Sequence, residues 1–111
     1  MQEGQIVLAV LTADKELKKR PVLIVRKAPK HHDYLVCGIT SKLHEETTGL
    51  DVVIDKPHPD FIESGLKHDG LIRLFFFAVI RSEDCLGTLG KVSDKTLELV
   101  QSRLANYIAG K

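Results

Sequence analysis

The residues best suited to chemistry form a basic run that meets a proline. In KKRPVLIV, residues 18–25, Lys18, Lys19 and Arg20 stand directly before Pro21 and an apolar run. Proline is tolerated where a strand begins, because its missing amide breaks no ladder there, and it fixes the direction of the chain after Arg20. A guanidinium held in that way suits a phosphate, whose oxygens match its planar fork of donors. The plainer alternative is a solvated, positively charged loop. A second group is GITSK, residues 38–42, where a strand ends in two hydroxyls and a lysine. Thr40 and Ser41 can donate hydrogen bonds to a phosphoryl oxygen or close a local Ser/Thr turn, and spacing does not separate the two. A third is Arg73, the one charge in LIRLFFFAVI, residues 71–80.

Other chemistries find no support. Among five histidines, His31 and His32 are adjacent, and HEETT lacks the second histidine of a zinc-protease helix. No metal site is expected, since structural zinc announces itself by Cys and His pairs at fixed spacing. No Gly-rich phosphate loop, dinucleotide fingerprint or nucleophile elbow is present, so no cofactor is expected either. The net charge of +1 argues against a strong global field for nucleic acid. Its distribution is uneven: residues 15–30 carry seven lysines and arginines against Glu16, whereas residues 45–69 carry seven acids. One face is expected to hold phosphates while another repels them.

The elements that must position these groups are short. A chain of 111 residues, 43% apolar and 28% charged, fits one domain over residues 1–111. Its apolar runs fall far short of the roughly 20 residues that span a bilayer. The N-terminal run lacks the flanks of a secretion signal, so a cytoplasmic location without membrane contact is expected. Cys37 and Cys85 read as two packed, free thiols. Residues 5–11, 21–26, 34–40, 50–54 and 71–80 are rich in Val, Ile, Leu and Phe and read as strands. No long amphipathic segment separates them, which predicts a mainly β, antiparallel sheet curled into a small barrel.

SDKTLELVQSRLANYIAGK reads as a C-terminal helix, with Ser93 as N-cap and Gly110 closing it. Leu97, Val100, Leu104 and Ile108 form a stripe expected to lie on the barrel. In the strand over 71–80, Ile72, Leu74, Phe76, Ala78 and Ile80 are expected to face the core. Leu71, Arg73, Phe75, Phe77 and Val79 are expected to face a site or a dimer interface. The long irregular segment KPHPDFIESGLKHDG, which holds His68, is of the kind that carries site residues.

Taken in order, GQIVLAVL near the start, RPVLIV after a charged loop, GITSK, GLIRL, and LGKVS before the last helix resemble the PemK/MazF family of toxins from toxin–antitoxin pairs. The resemblance spans Gly4 to Ile108. It implies a small SH3-like antiparallel β-barrel with a C-terminal α-helix packed on it, acting as a homodimer. It also implies a metal-independent endoribonuclease that cuts single-stranded RNA, and a cognate antitoxin that blocks the site. In that chemistry a 2′-hydroxyl attacks the adjacent phosphate, leaving a 2′,3′-cyclic phosphate and a free 5′-hydroxyl, which requires a base, an acid and donors for the charged phosphorane.

By position, Arg20, Thr40 and Ser41 match the phosphate cradle of the family, with Lys19 beside them. Arg73 matches an arginine read as general acid in some relatives. Two residues on, where those relatives carry an acid, this chain has Phe75, which can instead stack on an RNA base. Glu16, in a loop shorter than that of relatives, and His68 remain as proton acceptors. The resemblance keeps a second reading open, a barrel that binds RNA or, like a gyrase-poisoning relative, a protein target without cutting.

Overall fold

The computed structural model describes residues 1–11 and 18–111. Among these residues one antiparallel sheet is built from β1 (Gln5–Val10), β2 (Lys19–Lys27), β3 (Asp33–Thr40), β4 (Val52–Ile54), β5 (Gly70–Arg81) and β6 (Cys85–Lys91). The strands lie in the order β4-β5-β3-β2-β1-β6. Each of the five strand runs read from the sequence is a strand, with shifted ends; β6 is an addition. Among the described residues no ladder joins β4 to β6, so the barrel-like sheet stays open. No described helix is long and apolar enough to cross a membrane.

The middle of β2, Val22 to Val25, and of β3, Val36 to Ile39, is buried on consecutive residues. Such strands are covered on both faces, so their sequences run apolar rather than alternating. On one face Ile6, Leu23, Cys37, Ile39, Ile72 and Leu74 make a first cluster, roofed by Val100 and Leu104 of the C-terminal helix. On the other, Val7, Val22, Ile24, Tyr34, Val36 and Ile80 make a second. Neighbours such as Ile6 and Val7 thus point into different clusters, as the pleat requires. Cys37 and Cys85 are free thiols, and burial, with the Asp51 charge adding to it, pushes Cys37 up to about 12.

A short helix α1 (Phe61–Ser64) precedes β5, and α2 (Asp94–Ile108) ends the fold. Ser93 caps α2 as expected, its Oγ accepting the Thr96 amide at 3.3 Å. The Asp60 carboxylate in turn accepts from Ser93 N and Oγ at 3.1 and 3.0 Å, tying α1 to the start of α2. Burial pushes the Asp60 carboxyl up, but hydrogen bonds from Thr96 and Ser93 outweigh it and leave the group below the usual range. At the other end Gly110 takes φ 72° and Lys111 N reaches Asn106 O at 2.8 Å, a glycine-closed terminus. The predicted stripe is corrected at one position: Ile108 lies beyond the cluster and is 65% exposed.

The feature that most shapes the molecule is a break in β5. Ile72 stands opposite Ile39 and Phe77 opposite Cys37, so the four residues Arg73 to Phe76 oppose Gly38 alone, three more than a regular ladder holds. An odd insertion exchanges the faces of a strand. Ile72 and Leu74 therefore enter the first cluster, whereas Phe76, Ala78 and Ile80 serve the second. The even residues are core, as the sequence suggested, but of two different cores. Leu71, expected to face a site or a dimer interface, is fully buried. Gly38 makes the bulge possible, because a Cβ there would meet the Phe76 ring at 2.9 Å. Inside the bulge the Leu74 amide is satisfied by Asp51, whose Oδ1 accepts it at 2.9 Å, while Oδ2 accepts Thr47 N at 2.8 Å.

Candidate functional site

The start of β2 and the end of β3 are neighbours at one end of the sheet, and the turn leading into β5 closes over them. Between them lies a cleft of about 310 Å³, lined by Lys19, Arg20 and Pro21, by Ile39 to Lys42, and by Leu66 to Gly70. Arg20 is fixed on its outer side by pairing with Ala9 of β1. Arg20 and Thr40 each lie two residues outside the end pair Val22–Gly38 of the β2–β3 ladder, and both line the cleft. The strand begins before the proline rather than at it. Pro21 precedes Val22, the first residue of β2 paired to β3, so its missing amide interrupts no pair there.

Of the two alternatives for Thr40, the local turn forms. Lys42 N donates to its Oγ1 at 3.1 Å, closing a local turn. The hydroxyl oxygen is thereby an acceptor, and its own hydrogen is left to donate to an incoming oxygen. The floor of the cleft depends on Gly70, where a Cβ would meet Leu66 at 2.8 Å and Ile39 at 3.0 Å. Ile39 and Leu66 belong to the first cluster or pack on it, so the cleft rests on the core.

Five of the expected site residues therefore meet: Lys19, Arg20, Thr40, Ser41 and His68 all line this cleft. Glu16 lies outside the described residues. Arg73 and Phe75 are not among the lining residues. Arg73 sits in the bulge, its guanidinium 3.4 Å from Glu45 Oε1, both half-exposed. Phe75 packs edge-on against Tyr107 of α2 at 5.6 Å between ring centres and against Phe77 at 6.2 Å. With Val79 and Ile108, these rings make an apolar face in which Phe75 is 61% and Val79 68% exposed.

Lys42, the lysine of GITSK, also lines the cleft, as do Lys67 and Asp69, which were not singled out by sequence. The signal of the latter two was position alone, in LKHDG before β5. Much of the acid-rich stretch is engaged within the fold. Glu45 holds Arg73, Asp51 is buried on two amides, Asp60 is bound to Ser93, and Glu63 lies 4.0 Å from Lys91. What the stretch presents to the cleft is Lys67 and His68, with Asp69 as the one carboxylate among the described lining residues. Such a cleft favours an anion with several oxygens. Among the described residues no group of three His, Cys, Asp or Glu is placed to hold a metal.

Residues 2–108 match the family of PemK-like, MazF-like toxins of type II toxin–antitoxin systems. No curated protein sequence matches the chain. Among solved structures it is similar to the Mycobacterium tuberculosis toxin MazF-mt6, with a TM-score of 0.72 and 19% identity over 95% of this chain and 96% of that one. It is similar also to a mycobacterial endoribonuclease in complex with its cognate antitoxin, at 0.73 and 17% over 98% and 95%. A third is the MazE-MazF structure from Deinococcus radiodurans, at 0.70 and 14% over 97% and 94%. At these identities the structures speak for the fold.

Proposed function

The chain belongs to the PemK-like, MazF-like family of type II toxins, and from that membership we propose that it is a cytoplasmic endoribonuclease cutting single-stranded RNA without a metal. The observation that carries this reading is the meeting of Arg20, Thr40, Ser41 and His68 in one basic cleft. Arg20 grips the scissile phosphate, and Thr40 and Ser41 donate to its oxygens as charge develops on the phosphorane. His68 takes the 2′-hydroxyl proton, the 2′-oxygen bonds to phosphorus, and the 5′-oxygen leaves with a proton from water. The imidazole then returns its proton to solvent. Arg73, held by Glu45, stays outside the reaction.

The test is a long mixed single-stranded RNA incubated in EDTA with wild type and His68→Gln. Wild type is expected to yield fragments with 2′,3′-cyclic phosphate and 5′-hydroxyl ends. His68→Gln is expected to cut about 10²–10⁴-fold more slowly, the usual cost of losing a positioned base. RNA left intact by wild type would sink the nuclease. The position of Phe75, an aromatic where relatives carry an acid, favours a second reading in that event: a barrel that arrests growth by binding RNA or protein, with no fragments.

The exposed Phe75, Phe77, Val79, Tyr107 and Ile108 support a homodimer. A contiguous apolar face of this kind is costly to leave in water and marks an interface. The occupant proposed is a second copy of the chain, because the face lies away from the basic cleft and carries no charge to select an RNA. Phe77→Asp is expected to run as a monomer in sedimentation velocity at concentrations where wild type is a dimer. A dimeric Phe77→Asp protein would move the interface elsewhere. The cleft itself, with its excess of cations, suits an acidic segment of a cognate antitoxin as competitor for RNA.

A further inference from the structure

A second depression of about 360 Å³ adjoins the cleft, lined by Ser41, Leu43, Lys56, His68 and Asp69. Ser41, His68 and Asp69 line both. The two are one trough, running from Arg20 and Thr40, past His68, to Lys56. One scissile phosphate needs one cradle, and the trough continues well beyond it.

Lys56 is built into its place. Its backbone N donates to Asp69 Oδ1 at 2.9 Å, so the carboxylate beside the cleft holds the far turn against it. The turn is closed by His58 N on Asp55 O at 2.9 Å, with Pro57 fixing the backbone after Lys56. The ammonium thus swings from a rigid corner, and ordering it on a ligand costs less than ordering a loop. Among the described residues no carboxylate is paired with the Lys56 ammonium. Of the nearby acids, Asp60 is bound to Ser93, and Asp69 already spends one oxygen on the Lys56 amide.

We propose that Lys56 forms a second phosphate subsite beyond the Arg20–Thr40 cradle, reached along the trough past Ser41 and His68, so that the trough holds successive phosphates of one RNA strand. This rests on the proposed reading of the first cleft as an RNA site. Phosphate contacts of this kind position a strand and carry no sequence information. Lys56 therefore strengthens binding of every sequence alike and leaves the chemical step to the first cleft.

The probe is a mixed-sequence 2′-O-methyl RNA oligonucleotide, which lacks the attacking hydroxyl. Its affinity is measured against salt concentration for wild type, Lys56→Gln, Lys56→Arg, Arg20→Ala, and Lys95→Gln on the exposed side of α2. Lys56→Gln is expected to weaken binding uniformly across sequences and to lower the slope of log affinity against log salt by about 0.7, the share of one phosphate on a single strand. Lys56→Arg should retain both, Lys95→Gln should match wild type, and in cleavage Lys56→Gln should raise KM while kcat holds. A Lys56→Gln protein indistinguishable from Lys95→Gln, while Arg20→Ala loses affinity, overturns the second subsite alone. Binding unaffected by Arg20→Ala, or absent in wild type, overturns the first cleft as an RNA site and the second with it.

Discussion

Arg20→Ala is expected to slow RNA cleavage by about 10²–10³-fold, the usual cost of removing one donor aimed at a developing oxyanion. The side chain stands on the second residue of β2, paired across to Ala9, and lines the same cleft as Thr40. Its backbone place is therefore fixed by ladders that alanine keeps. The loss should fall on the transition state, in kcat as well as kcat/KM, with the melting temperature close to that of wild type. Arg20→Lys separates charge from geometry: an ammonium restores attraction but not the two parallel bonds of the fork, so it should recover only part of the rate. Single-turnover cleavage of a defined RNA measures both. Cutting by Arg20→Ala within a few-fold of wild type would remove the cleft from the mechanism.

The second large effect is on stability. Asp51→Ala is expected to cost about 3 kcal/mol and lower Tm by about 10–20 °C, because two amides lose their carboxylate acceptor and one of them, Leu74 N, is buried. The residue is 4% exposed, and its oxygens bind Leu74 N inside the β5 bulge and Thr47 N in the loop after β3. Its carbonyl accepts Arg103 of α2 at 2.8 Å, which makes Asp51 the point where strand, loop and helix are pinned together. Asp51→Asn keeps one acceptor but turns an NH₂ toward the other donor, so an intermediate loss is expected. Urea unfolding read by far-UV dichroism checks this, and a loss under about 1 kcal/mol for Asp51→Ala would mean that the bulge is held by packing alone.

How much of this was legible depended on whether a residue acts through local chemistry or through pairing. The strands read from Val, Ile and Leu runs were found because burial on both faces leaves a continuous apolar signature, as in β2 and β3. Ser93 and Gly110 were found because helix ends need an acceptor and a left-handed residue. Arg20, Thr40, Ser41 and Lys19 were placed at element ends, which meet, and His68 in a long irregular segment that leads to the same end of the sheet.

β6 escaped because it is an edge strand whose Leu86, Gly87, Thr88 and Leu89 are exposed, so no apolar pattern marks it. Within it, Gly90 serves a close backbone approach. A Cβ there would come within 2.1 Å of Glu63 O, and one on Gly65 within 2.1 Å of Leu89 O. The fate of Arg73 and Phe75 was illegible for another reason. Period-two reasoning assumes an unbroken ladder, and three extra residues opposite Gly38 carry both away from the cleft to Glu45 and Tyr107.

The order of the chain gives the cleft a history during synthesis. Every described residue that lines it lies between Lys19 and Gly70, whereas the roof of the core beneath it, Val92, Val100 and Leu104, comes last. β1 likewise finds β2 early and waits for β6, since Val7 must meet Thr88. A nascent chain therefore carries all the cations of the trough before it can hold them still, and domains close only when such late segments arrive. The ribosome thus releases the residues of the cleft before the packing beneath them, which is complete only with the final helix.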